Sequence, residues 1–157
     1  MKSLKPQLNI LLAAVFAIAS SSSLACTMLY QGPFATFAQM QPVIVRARVI
    51  AHGDSLHSRA DYFEEMTVAV SEVIKGDYSN ERIEFFGDTG MSCLRYITLE
   101  QFPIGSEHLF ILEGSKPRQP LMAVGESSVR IEGDTVHGRD LAEEYAMSLA
   151  ELLVRVR

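Results

Sequence analysis

Val43 to Ala51 reads VIVRARVIA, and that run constrains the chain most. Val43, Val45, Ala47 and Val49 fall on one parity, while Arg46 and Arg48 fall on the other. A strand sends alternate side chains to opposite faces, so this pattern predicts a half-buried β-strand. A second strand is expected over Phe63 to Lys75, where Met66, Val68 and Val70 share a face before the apolar phase shifts to Val73. Such a shift predicts a bulge or a strongly coiled strand. Gly76-Asp77 turns the chain into a third strand, Glu81 to Phe86, with Ile83 and Phe85 inward. A fourth is expected over Glu107 to Leu112. Leu121 to Gly125 and Val129 to Glu132 are expected to pair as a fifth strand or hairpin.

The stretches between these runs read as irregular. Residues 27–42 carry Gly32-Pro33 and Pro42 and are expected to be extended. His52 to Asp61 is a polar loop, and Gly87 to Gly105 a long connection. At the C-terminus, Leu141, Tyr145, Leu149, Leu152 and Val156 form one stripe at helical period. Asp140 followed by Glu143 predicts its N-cap, so a helix is expected from Asp140 to Arg157. The chain is therefore expected to be mainly β, with five or six strands and a terminal helix. The short, coiled second strand points to a small barrel rather than a flat sandwich.

The first 25 residues read as a signal peptide: Lys2 and Lys5, an apolar stretch from Leu8 to Ala19, and Ser23-Leu24-Ala25 before Cys26. The apolar stretch falls short of the ~20 residues that span a bilayer. Cleavage would leave Cys26 first in a domain of residues 26–157, secreted or periplasmic. The alternative is an envelope lipoprotein with its lipid anchor at Cys26. The domain carries 12 basic and 19 acidic residues, a balance that disfavours nucleic acid as a partner.

Cys26 and Cys93 are the two cysteines, with one intramolecular pairing available. In an oxidising compartment that bond would close a loop of 68 residues and pin the mature terminus. By the chain-entropy argument, such a closure stabilises by about 4 kcal/mol at most.

No catalytic constellation is visible: HExxH, GxSxG, SxxK and P-loop patterns are absent. His52, His57, Asp54 and Asp61 share the polar loop, which reads as solvated rather than as a metal site. His108, at a strand start, reads as a surface or rim residue. The chain is thus expected to bind or inhibit rather than to catalyse, and to need no cofactor.

CTM after the leader, VIVRARVIA, MTVAVSEVIKGD, RIEFF, the SC at Cys93 and GSEHLFILEG together resemble the N-terminal domain of the tissue inhibitors of metalloproteinases. They also resemble the wider netrin-like module family. The resemblance runs from Cys26 to about Gly114. It implies a five-stranded OB-fold-like barrel, here followed by the C-terminal helix. It also implies inhibition of zinc metalloproteases, the first mature residue chelating the catalytic zinc through its α-amino nitrogen and carbonyl oxygen. Those roles fall on Cys26, with Thr27 entering the specificity pocket and Met28 beginning the inhibitory ridge. The chemistry is coherent, because a catalytic zinc carries an exchangeable water that a fixed N/O pair can replace. An α-amino group, with its pKa of about 7.7–8.0, is partly neutral near pH 7. The family has a second cysteine where this chain has Met28. A non-inhibitory netrin-like interaction module is the alternative reading.

Overall fold

The structure is a computed structural model that describes residues 33–56, 59–87, 94–122, 126–140 and 143–157. Cys26, Thr27, Met28 and Cys93, and with them the signal peptide and the pairing, lie outside the described residues, as does His57. Among the described residues two helices, α1 (Phe34–Met40) and α2 (Leu149–Val156), frame a mainly β fold. The strands are β1 (Val43–His52), β2 (Ser55–Leu56), β3 (Arg59–Phe63), β4 (Glu65–Lys75), β5 (Arg82–Phe86) and β6 (Ile97–Thr98). They continue with β7 (Glu107–Leu112), β8 (Arg118–Pro120), β9 (Ser128–Glu132), β10 (Thr135–Asp140) and β11 (Glu143–Ser148). Among the described residues no helix is long and apolar enough to cross a membrane.

Eight strands form one sheet in the order β11-β10-β9-β7-β1-β4-β5-β8, and β2-β3-β6 form a small second one. The five-stranded barrel expected from the sequence is therefore replaced by a larger sheet. Among the described residues no ladder joins β7 to β8. Instead β9 pairs antiparallel with β7. The reason lies in β7 itself: from His108 to Leu112 every residue is buried, so backbone groups on both its edges need partners. Beyond β7, Gln119 uses its side chain to close the turn. Its amide donates to the carbonyls of Gly114 and Lys116, at 2.7 and 2.8 Å.

The alternation in β1 is realised as expected. Val43, Val45, Ala47 and Val49 are buried in a core with Met66, Val68, Ile83, Phe85 and Phe110. Arg46 and Arg48 lie on the opposite parity and both reach Glu107, at 2.7 Å each. The phase shift in β4 is a pair of irregularities. Against β1 the register skips Ile74 and then Ser71. The skip at Ser71 reverses the phase after Val70, so Ile74 turns away from the core that Val70 faces and toward a second one. Gly76 follows with φ +79°, and a Cβ there would sit 2.1 Å from the Pro42 carbonyl oxygen. Only glycine fits this turn.

The second core lies on the sheet's other face. Ile44, Leu109, Ile111, Val129, Ile131 and Val136 meet Phe34 and Ala38 of α1 and Leu152 and Val156 of α2. Helix α1 corrects the extended segment expected over residues 27–42. Pro33 and Pro42 bracket it rather than forbid it, and Phe34 and Ala38, one turn apart, bury its inner face. Lys75 caps it by donating to the carbonyls of Ala38 and Gln39, at 3.1 and 2.9 Å.

The terminal helix is shorter than the stripe predicts. Residues Glu143–Ser148 form β11 on β10. Glu144, Ala146 and Ser148 are exposed between half-buried Tyr145 and Met147, a period of two that the stripe through Tyr145 and Leu149 conceals. The helix begins after Ser148, whose hydroxyl accepts the Glu151 amide at 3.1 Å. The expected cap at Asp140 is instead the end of β10. Of the expected hairpin, residues 123–125 lie outside the described residues; the Leu121 amide bonds the Phe86 carbonyl at 2.8 Å after β8 runs parallel to β5, while β9 pairs with β7 and β10. Strands β2 and β3 occupy what reads as the polar loop from His52, and β6 lies inside the long connection after Gly87.

Candidate binding cleft

The parity of three neighbouring strands builds the site. Val129, Ile131 and Val136 face the second core, so the intervening residues face the other way. In register, His108 of β7 stands opposite Arg130 of β9, and Arg130 stands opposite His137 of β10. This row continues the inner face that carries Phe110. Where apolar side chains run out, a polar cleft of about 480 Å³ opens, lined by Arg95, Phe102, His108, Ser128 and Arg130 with Glu126 and Tyr145.

His108 is 2% exposed, so the surface position expected for it is corrected. Its ring packs 5.1 Å from Phe102 and 5.4 Å from Phe110, centre to centre. The Ser106 hydroxyl lies 2.6 Å from the Pro103 carbonyl, which can only accept, so its proton points there. His108 Nε2, 2.9 Å from the same oxygen, must therefore donate to it. That fixes the neutral tautomer, with Nδ1 as acceptor. Burial lowers the His108 pKa to about 3, assisted by the charges of Arg130 and Arg95.

Arg95 donates to the Ser128 hydroxyl at 3.1 Å and lies over the Phe102 ring at 5.5 Å. Arg130 pairs through Nη2 with Glu132 at 3.0 Å. Its Nε is buried and has no hydrogen-bond partner among the described residues. Across the cleft the Tyr145 hydroxyl donates to the buried Glu126 carboxylate at 2.8 Å. Gly138 makes this contact possible: a Cβ there would lie 2.4 Å from the Tyr145 ring and 2.7 Å from Glu126 Oε1.

A second cavity of about 300 Å³, lined by Pro33, Thr36, Met147 and Arg155, shares Glu144 and Tyr145 with the cleft. Pro33 and Leu94 are the described residues nearest in sequence to Cys26 and to the C-terminal side of Cys93, and Pro33 and Arg95 border the adjoining cavities. His52 is engaged structurally, stacked 4.2 Å from Phe63 and with Nε2 donating to the Phe102 carbonyl at 2.7 Å. Among the described residues no group of three or more His, Cys, Asp or Glu is placed to hold a metal ion.

Sequence reasoning missed this cleft. A signal for His108 was available, because it shares strand parity with Phe110 on the inward face. Arg130 likewise alternates with Val129 and Ile131. Arg95 and Glu126 come from connections, where no period exists to read. Comparison with family models, curated proteins and solved structures found no match.

Proposed function

We propose that the protein is a secreted or periplasmic inhibitor of zinc metalloproteases that acts through Cys26 as its mature N-terminus. The observation that carries this reading is the arrangement of the strands bearing the resemblance. The strands from VIVRARVIA, MTVAVSEVIKGD, RIEFF and GSEHLFILEG lie side by side as β7-β1-β4-β5, and β8 adds to β5 as a parallel pair. That order, with one parallel pair, suits an OB-type barrel left open between β7 and β8. The fold alone does not specify inhibition, so the N-terminal chemistry carries the function.

The Cys26–Cys93 bond finds support in chain reach. Cys93 lies two residues from Arg95 and Cys26 seven from Pro33. At ~3.3–3.6 Å per residue, these spans extend to at most about 7 Å and 25 Å, ample for ends that leave from adjoining cavities. The bond would hold the α-amino group in place, so less ordering entropy opposes zinc binding.

The test is inhibition of a panel of zinc metalloproteases by mature protein, by protein with one Ala before Cys26, and by protein with an acetylated amine. The amine nitrogen must come within about 2.0–2.1 Å of zinc, so extension or acetylation should abolish inhibition while the melting temperature holds. Thr27→Gly should change which proteases are inhibited. Undiminished inhibition by the extended form would remove Cys26 from the mechanism. The polar cleft lined by Arg95, His108 and Arg130 favours the second reading, a non-inhibitory interaction module. Absence of inhibition across the panel would favour it further.

A further inference from the structure

We propose that the cleft beside Phe102 is a binding site for a small oxyanion-bearing ligand, a carboxylate or a phosphate, held by Arg130 and Arg95 on either side of Ser128. The proposal does not depend on the inhibitor reading.

Three observations converge on it. The first is the buried Nε of Arg130, a donor with no acceptor among the described residues. A buried N–H without a partner is costly, and an anionic oxygen is the acceptor that a guanidinium binds best. The Glu132 carboxylate does not meet this need. One of its oxygens engages Nη2 of Arg130, and the other lies 3.7 Å from His137 Nε2.

The second observation is the placement of positive charge. Arg130 comes from β9 and Arg95 from the connection after Cys93, yet both border one cavity of about 480 Å³. Ser128, two residues before Arg130 on the same strand face, holds Arg95 by its hydroxyl at 3.1 Å. The two guanidinium groups are therefore positioned by the same strand. Their combined field is felt at His108, where it adds to burial in keeping the ring neutral. The imidazole thus brings no charge of its own to the cleft.

The third observation is the floor. Phe102 and His108 are buried rings that tilt against one another. They exclude water from beneath the arginines, and in a less polar setting an ion pair strengthens. Glu100, Glu126 and Glu144 also line the cleft, and Glu126 accepts from the Tyr145 hydroxyl. These carboxylates limit how much negative charge can enter, so the cleft suits one oxyanion group rather than a polyanion.

The experiment is calorimetric titration of the full mature protein in Hepes and sodium chloride with succinate in one arm and inorganic phosphate in the other. Saturable millimolar or tighter binding in either arm supports the site, and the tighter arm names the oxyanion. Arg130→Gln should weaken binding at least tenfold, and Arg130→Lys should do nearly as much because it keeps the charge but loses Nε. Arg118→Gln, which alters a distant arginine paired with Glu65, should leave binding unchanged. Should Arg130→Gln fail to fold, Ser128→Ala provides the same reading through Arg95. The protein carrying an extra Ala before Cys26 should bind as the wild type does. No saturable binding in either arm, or equal weakening by Arg118→Gln and Arg130→Gln, would overturn the proposal.

Discussion

His108 makes acid stability a direct test of how the cleft is built. Its folded pKa of about 3 lies below the ordinary histidine value of 6.5. Once the pH falls below 6.5, the unfolded chain takes up a proton that the folded one refuses. Stability must then decline as the pH falls, with a limiting slope of about 1.4 kcal/mol per pH unit, and the decline ends near the folded pKa. Between pH 6.5 and 5 the expected loss from this residue is about 2 kcal/mol at most. That window separates it from Glu107, whose carboxyl the hydrogen bonds of Arg48 and Arg46 hold below its ordinary value, so that its contribution is lost only at more acid pH. The assay is urea unfolding at half-unit pH steps, comparing wild type with His108→Phe. Phenylalanine suits the rings of Phe102 and Phe110 and leaves the Ser106–Pro103 hydrogen bond in place. The variant should show a markedly flatter profile across this window. Parallel profiles for the two proteins would refute the buried, neutral imidazole.

Leu152→Ala should cost about 2–5 kcal/mol, because Leu152 is fully buried and an eight-residue helix has little stability without its docked face. Val154→Ala, at 81% exposure, should stay within about 0.5 kcal/mol by thermal denaturation. Gly138→Ala should displace Tyr145 from Glu126, read as a change in Tyr145 ring resonances by NMR together with a lower melting temperature; an unchanged Tyr145 environment would contradict the packing. Cys93→Ser should destabilise the mature protein by ~2–5 kcal/mol if the pairing with Cys26 forms, measured by chemical denaturation under non-reducing conditions.

What the sequence makes legible here is periodicity that one face dictates. The valines of β1, with Ile83 and Phe85 of β5, alternate because one side packs and the other meets solvent. Even the phase shift in β4 is readable, since a bulge leaves one residue over. Legibility fails where both faces are covered or where two periods agree. β7 is buried from His108 to Leu112, so nothing in its composition tells that β9 will take its second edge. Tyr145 and Leu149 stand four apart, which suits a helix, yet Tyr145 to Met147 also alternates, and pairing with β10 decides the outcome. The Ser148–Glu151 cap was readable as a helix start, but the upstream stripe masks it. The cleft is hidden for a related reason: its arginines are adjacent only because β9 crosses beside β7 and a distant connection folds back onto it.

Zinc chelation requires Cys26 to be a free, disulfide-held terminus, and intact mass before and after reduction measures that directly. Protein exported by its own leader should weigh what residues 26–157 weigh, less a pair of hydrogens, and should regain them on reduction. A chain carrying a lipid on Cys26 has neither a free thiol nor a free amine. Such a mass, or a mature mass unchanged by reduction, would contradict zinc chelation by a pinned N-terminus.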